Sequence, residues 1–587
     1  MTGTSPTEAG LAAPASFALP VRRRALRHRV RMTPGFVAAA GVALFTGALV
    51  LYPVGMLLFG SFWTSRPGLP GQLTLDNYVS AYTSGDTYKL FATTVLLMGV
   101  KTLVAAALAL ALAWIVTRTD TPFRRALEVL IITPYFVPGI LEAIGWILLL
   151  SPRTGAINVA ARQIFGLSDA PFDVYSIGGM LWVMALGSVS FMFLLITSAL
   201  RSMDASLEEA ARASGAGAMR TALTVTLPLI APSVLAIMML SFIRAVESFE
   251  VPVLLGTRAG IFVFTNKIYS AIQDYPVNYG LATALGASFI PLTLGLVLVQ
   301  NRVLRGREFV VVSGKGYRPR VVRLGPFRWV AFAVCAGYFV LAAALPISQI
   351  LLGSFTRVFG LFEPEMLTLN NYTALVSDPR LWRGLTNTLW VCATAAVVTV
   401  ALCSAIAYIV TRTKHPLRRP LDLVAWLPWT IPGVVAGLGF LWAYIFFPLP
   451  LYGTTALLVI AFVTGGLPLG VRVMAGGLVQ IHAELEESAR SHGASWAYMA
   501  RRVLVPLVRP VMAAAALTLF AVFSRSVAPV VLLAGIGTEL LSVLLFQYTL
   551  QGQMQVVSAL AMILLLVNIA GLAVARRVGA FGVKEEV

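Results

Sequence analysis

Ser206-Leu-Glu-Glu-Ala-Ala-Arg-Ala-Ser-Gly215, followed after nine residues by Val225-Thr-Leu-Pro228, is the stretch on which the reading of this chain turns, because it occurs twice. The second copy is Glu484-Leu-Glu-Glu-Ser-Ala-Arg-Ser-His-Gly493, followed after nine residues by Val503-Leu-Val-Pro506. The first copy predicts a short helix. Ser206 at the N-cap with Glu209 three residues on makes a capping box, Leu207, Ala210, Ala211 and Ser214 share one face, and Gly215 suits the stop. In the second copy the cap position falls to Glu484. Such a helix, with small residues on its face, can be laid into a groove of a partner. Read alone, it could equally be a capped surface helix.

Working outward, the doubling extends through the chain. Leu73-Thr-Leu-Asp-Asn-Tyr78 returns as Leu367-Thr-Leu-Asn-Asn-Tyr372, Ala113-Trp-Ile-Val-Thr-Arg-Thr119 as Ala407-Tyr-Ile-Val-Thr-Arg-Thr413, and Pro134-Tyr-Phe-Val-Pro-Gly139 as Pro428-Trp-Thr-Ile-Pro-Gly433, each 294 residues later. Between the two copies of the short helix the offset is 278, so the first half carries 16 extra residues, most simply in 151–175.

What is duplicated is a membrane unit. Of 587 residues 58% are hydrophobic and 12% charged, and mean hydropathy is +0.84, which excludes a soluble domain. Apolar blocks long enough to cross a bilayer fall near 36–60, 91–117, 127–150, 176–200, 223–245 and 281–301, then near 329–353, 383–410, 421–447, 452–475, 505–533 and 556–577. The expected fold is all-α and polytopic, about twelve spans in two parallel six-helix repeats. Its parts are a basic cytoplasmic tail 1–35, a first repeat 36–301, a basic cytoplasmic linker 302–328, a second repeat 329–577 and a tail 578–587. With the N-terminus in the cytoplasm, 32 of the 44 Lys and Arg lie in or beside cytoplasmic segments. The net charge of +19 therefore reports orientation and lipid headgroups, not nucleic acid.

The doubled motif resembles the signature of permease subunits of binding-protein-dependent ABC importers: Glu-Ala-Ala, three residues, Gly, nine residues, Ile-x-Leu-Pro. Glu209, Ala210, Ala211, Gly215, Val225, Leu227 and Pro228 occupy those places in the first half, with Val for Ile. Glu487, Ala489, Gly493 and Pro506 occupy them in the second, which departs at Ser488 and Val505. The resemblance implies a fused permease of the type I importer fold, with both termini cytoplasmic in a bacterial inner membrane. It implies that each motif is a coupling helix seated on one of two cytoplasmic ATPase subunits, and that an extracytoplasmic binding protein delivers the cargo. ATP and Mg would be bound by the ATPases and no cofactor by this chain, which has no Gly-x-x-x-x-Gly-Lys-[Ser/Thr] sequence.

Several segments, Ser151-Pro-Arg-Thr-Gly155, Ala170-Pro-Phe-Asp-Val-Tyr-Ser176 and Arg244-Ala-Val-Glu-Ser-Phe-Glu-Val-Pro252, resemble permeases for ferric iron. Permeases for polyamines, thiamine and aminoethylphosphonate are similar. Hard cations prefer oxygen ligands, and charges at membrane depth usually face an interior or a water-filled cavity. Glu142, whose repeat mate is Ala436, is the first candidate for the pathway, and Glu247 and Glu250 at the outer end of the fifth span are the next. Arg244 could instead simply pair with Glu247, and Lys101, which unpaired would cost roughly 2.5–3.5 kcal/mol in the bilayer, could neutralise Glu142. Glu128 and Asp422, at the starts of their spans, suit the helix dipole.

Two other classes remain to be weighed. An ion-gradient-driven carrier shares the twelve-span, two-half plan but has no use for the doubled cytoplasmic motif. A membrane enzyme needs a nucleophile, base or metal cluster at one face; His28, His415, His482 and His492 are scattered, and Cys335, Cys392 and Cys403 sit in apolar blocks, so no metal site is assigned.

Overall fold

The computed structural model describes residues 34–203, 205–304, 321–359 and 364–577. The tails 1–33 and 578–587 and most of the predicted linker lie outside the described residues. Where the linker is described again, Val322 pairs with the end of the helix Gly85–Arg118, through Val322 N–H to Arg118 O and Asp120 N–H to Val322 O.

Among the described residues ten helices are long and apolar enough to cross a bilayer, and counting each of two bent pairs as one span brings the number to twelve. The sharpest departures from expectation are at those pairs. The predicted spans 127–150 and 421–447 are each broken: Arg124–Phe136 meets Gly139–Leu150 at 96°, and Arg418–Thr430 meets Gly433–Ile445 at 111°. Each break falls within a Pro-x-x-x-Pro-Gly stretch, Pro134–Gly139 and Pro428–Gly433. A proline disfavours helical backbone in the residue before it and cannot donate to the preceding turn. Val137 and Ile431 accordingly take extended backbone, and the helix restarts at the glycine. The blocks 223–245 and 505–533 also need moving, because the spans run Ala218–Val246 and Trp496–Arg525. Each passes through a wider π-turn, Ala222–Thr226 and Ala500–Leu504, just before Pro228 and Pro506. The looser turn gives the proline ring room against the carbonyl it would otherwise strike.

Within each half the long second-span helix packs on the fourth: Gly85–Arg118 on Ile177–Ser202, and Pro379–Arg412 on Thr455–Val479. The halves interlock by exchange. The first helix Pro34–Ser61 lies against Gly433–Ile445 of the second half, and Leu345–Ser354 lies against Gly139–Leu150 of the first. Gly145 and its mate Gly439 permit this, since a Cβ at either would come within 2.6 Å of Pro346 or 2.8 Å of the Pro53 carbonyl. Close helix approach over small residues is the usual way helices associate where burial from water supplies no drive. The extra segment of the first half forms a helix, Ala156–Phe165. Buried Asn158 ties it down by donating to the carbonyls of Leu150, Ser151 and Phe172.

Candidate functional site

The doubled motif forms two short helices, Ala205–Ala213 and Glu484–Ser491. Both end alike. Ala216 N–H bonds Ala211 O and Gly215 N–H bonds Arg212 O; Ala494 N–H bonds Ala489 O and Gly493 N–H bonds Arg490 O. This closure needs a left-handed residue, and Gly215 has φ +86° and Gly493 φ +80°. Their starts differ from expectation. The first helix begins at Ala205, which puts Ser206 inside its first turn and not at the cap, and in the second Ala483 is the N-cap with Glu484 following.

The apolar side of each short helix faces outward, with Leu207 and Leu485 each 47% exposed. Ala210, Gly215, Glu487 and Gly493 are exposed too, while Glu209, Ala211 and Ala489 are half-buried. Among the described residues, outside the neighbouring turn, nothing comes within 4 Å of a Cβ built on Gly215 or Gly493. Leu227, Pro228 and Pro506 stand apart from this face, in the first turn after each π-turn.

The inward side is held by residues the sequence reading passed over. Glu208 and Glu486 are buried. Glu208 Oε1 is 3.1 Å from Arg118 Nε and accepts from Thr226 Oγ1, while Arg118 Nη2 donates to the Leu200 carbonyl. Glu486 Oε1 is 3.3 Å from Arg412 Nε, Oε2 accepts from Tyr408, and Arg412 donates to the carbonyls of Leu478 and Ile481. Each pair joins a short helix to the end of a second-span helix. The available signal was repetition: Arg118 and Arg412 lie in Thr-Arg-Thr of one doubled segment, and the glutamates in Leu-Glu-Glu of another.

Deeper in, Glu142, Glu247 and Glu250 all line one cavity of about 430 Å³, together with Lys101, Arg244 and Arg525. It lies between the halves: Gly433 and Arg525 through Pro529 come from the second, and the rest from the first. Lys101 is buried and Glu142 half-buried. Arg525 donates to the Tyr135 carbonyl at 2.9 Å and lies over the Tyr135 ring; Arg244 lies over Phe191. Among the described residues none of these six charges makes a direct ion pair, all such pairs lying elsewhere. Lys101 with Glu142, and Arg244 with Glu247, are electrostatic neighbours only. Among those residues no three His, Cys, Asp or Glu side chains gather closely enough to hold a metal ion. Glu128 and Asp422 are paired, with Arg201 at 2.7 Å and Arg472 at 3.4 Å.

A second cavity of about 190 Å³ is the repeat mate of the first. Its Pro428, Ile431, Gly433, Ala436, Phe462, Gly465 and Val522 stand where the first has Pro134, Val137, Gly139, Glu142, Met184, Gly187 and Arg244. Every charge of the first has been replaced. Ala395 stands for Lys101, Ala436 for Glu142, Val522 for Arg244 and Ala528 for Glu250, while the mate of Glu247 is Arg525, whose charge goes to the other cavity. Duplication has left one charged cavity and one without a charged side chain on its walls.

The family model described as binding-protein-dependent transport system inner membrane component matches residues 103–308 and again 404–580. Among curated proteins, a ferric transport system permease protein of Actinobacillus pleuropneumoniae is 27% identical over 538 residues, 91% of this chain and 76% of that protein. A putative ferric transport system permease protein of Haemophilus influenzae is 28% identical over 79% of this chain and 76% of that one. A probable ABC transporter permease protein of Sinorhizobium fredii is 31% identical over 66% and 69%.

Proposed function

The chain belongs to the family of inner membrane components of binding-protein-dependent transport systems, and from that premise we propose that the cargo this ABC importer permease passes is ferric iron. An external binding protein releases it into the cavity of Glu142, Glu247 and Glu250, and it leaves on the side of the short helices as the halves alternate. The helices ending at Gly215 and Gly493 each seat one ATPase subunit, which places both chain termini in the cytoplasm. ATP hydrolysis belongs to those subunits, with their Mg, and this chain does no chemistry of its own.

The observation that carries this reading is the unequal pair of cavities. A hard trivalent cation prefers carboxylate oxygens, and the carboxylates line one cavity of the two. Their spread suits passage, which needs binding weak enough to release. The relatives named for ferric transport support the choice of cargo.

The test is uptake of radioactive ferric iron by membrane vesicles carrying the whole importer, with its binding protein and ATP. Glu142→Gln should lower uptake strongly while the ATPases still co-purify, and polyamines, thiamine and aminoethylphosphonate should not compete. Competition by one of these would reassign the cargo, and uptake surviving ATP depletion but not an uncoupler would point to a gradient-driven carrier.

A further inference from the structure

On the face opposite the short helices, the two halves meet through three aromatic rings. Phe249, Tyr269 and Phe546 pack mutually, with centroids 5.3 Å apart for Phe249 and Tyr269, 5.6 Å for Phe249 and Phe546, and 5.8 Å for Tyr269 and Phe546. Phe249 and Phe546 are fully buried. The rings separate two spaces. Phe249 lines the charged cavity, whereas Tyr269 lines a second, polar one of about 300 Å³ that also has Arg258, Gln273, Asp274 and Thr549 on its walls.

Tyr269 and Phe546 are repeat mates. The helix Phe264–Gln273 corresponds to Leu541–Leu550, and the same two bonds fix both registers. Phe264 N–H donates to Thr94 Oγ1 as Leu541 N–H does to Thr388 Oγ1; Thr265 Oγ1 donates to the Ser248 carbonyl as Ser542 Oγ does to that of Ser526. Equivalent side chains of two parallel repeats touch only where the axis relating the repeats passes between them. The ring cluster therefore sits on that axis, where a pathway between two halves must run.

We propose that Phe249, Tyr269 and Phe546 are the outer gate of the permease, and that the space lined by Arg258 and Asp274 is the vestibule in which the cargo waits before the gate opens. This rests on the reading of the charged cavity as the pathway. Phe249 and Tyr269 belong to one half and Phe546 to the other, so a rocking of the halves withdraws Phe546 and breaks two of the three ring contacts at once. The closed rings are a dry barrier to an ion. Opening joins the vestibule to the cavity of Glu142.

The test uses the full importer in membrane vesicles, with Cys335, Cys392 and Cys403 replaced by Ala and one reporter, Ser188→Cys, on the wall of the charged cavity. With the rings intact and no ATP, a membrane-impermeant thiol reagent added outside should not label the reporter; with Phe546→Ala it should. Labelling that is equal in both overturns the gate. A second measurement reads uptake instead of labelling. In the background without Ser188→Cys, Tyr269→Cys with Phe546→Cys, bridged by a short bis-methanethiosulfonate that forms a disulfide with each thiol and releases sulfinate, should lose the uptake of the unbridged pair and regain it when a reductant cleaves the disulfides. Uptake that continues with the bridge in place overturns the gate as well. Failure of the pathway reading shows separately, as uptake unaffected by Glu142→Gln, while the labelling pattern still reports whether the rings seal the cavity.

Discussion

Arg118 and Glu208 lie 3.1 Å apart in the interior, 90 residues apart in sequence, and they tie a long apolar helix to a short helix on the protein surface. Arg412 and Glu486 repeat the arrangement at 3.3 Å. Breaking a buried ion pair by removing one partner costs about 3–5 kcal/mol because the other charge stays behind, whereas replacing both by apolar residues often costs little. Glu208→Ala and Arg118→Met should each lower the thermal stability of the purified chain markedly, and the double variant should recover part of that loss. ATP-driven uptake should not recover with it, since the short helix is no longer tied to Gly85–Arg118. Single variants as stable as the parent would show that the pair is not holding the helix.

The two cavities give a matched pair of variants. A methyl group on Gly187 would overlap the Glu142 carboxylate, while one on its mate Gly465 would meet nothing within 4 Å. Overfilling a packed site typically costs about 1–3 kcal/mol through displaced side chains, and at Gly187 the displaced group is the acid of the proposed pathway. Gly187→Ala should cut uptake with the chain still assembled, and Gly465→Ala should leave uptake near that of the parent. Equal uptake in the two variants would mean that the position of Glu142 does not matter to transport.

Interlocking of the halves is tested at Gly145. Its Cβ would fall 2.6 Å from Pro346, in a contact between backbones that cannot easily give. Gly145→Ala should destabilise the chain by about 1–3 kcal/mol, read as a lower melting temperature in mild detergent. Gly99→Ala, on a helix face with open space, is the control and should melt with the parent or slightly above it, since alanine favours helix over glycine.

How much of this was legible beforehand depends on whether a feature is local. The doubled segments, the spans and the stops at Gly215 and Gly493 are properties of short stretches and could be read directly. The broken helices were written in Pro134, Pro138, Pro428 and Pro432, but hydropathy averages over a window and passes smoothly across a proline. The outward face of the short helices was legible, their inward side was not, and the reason is physical. Glu208 and Glu486 turn inward because arginines distant in sequence receive them, while Leu207 and Leu485 turn outward. A buried charge is intelligible only with its partner, and periodicity cannot supply a partner so far away. The unequal cavities were half legible, since Glu142 against Ala436 stood in the alignment of the halves, but Arg525 crossing to the first half's cavity did not.

Those outward leucines and the glycines beside them set the last prediction. At Gly215 and Gly493 the backbone is left-handed, a conformation costing about 1–2 kcal/mol for an ordinary L-residue but visited readily by asparagine. Asparagine at either position should therefore keep the helix stop, with only a small polar side chain projecting into open space. Leucine at both positions should strain the turns and crowd whatever seats there. Leu207→Asp with Leu485→Asp leaves the turns alone and puts charge on the apolar face. If these helices are the ATPase seats, the double leucine and double aspartate variants should both lose co-purifying ATPase and ATP-driven uptake, and the double asparagine variant should retain most of each. Because Leu207 and Leu485 are exposed, the chain itself should melt near the parent in the aspartate variant. Full ATPase recovery with Leu207→Asp and Leu485→Asp would move the docking site away from these two helices.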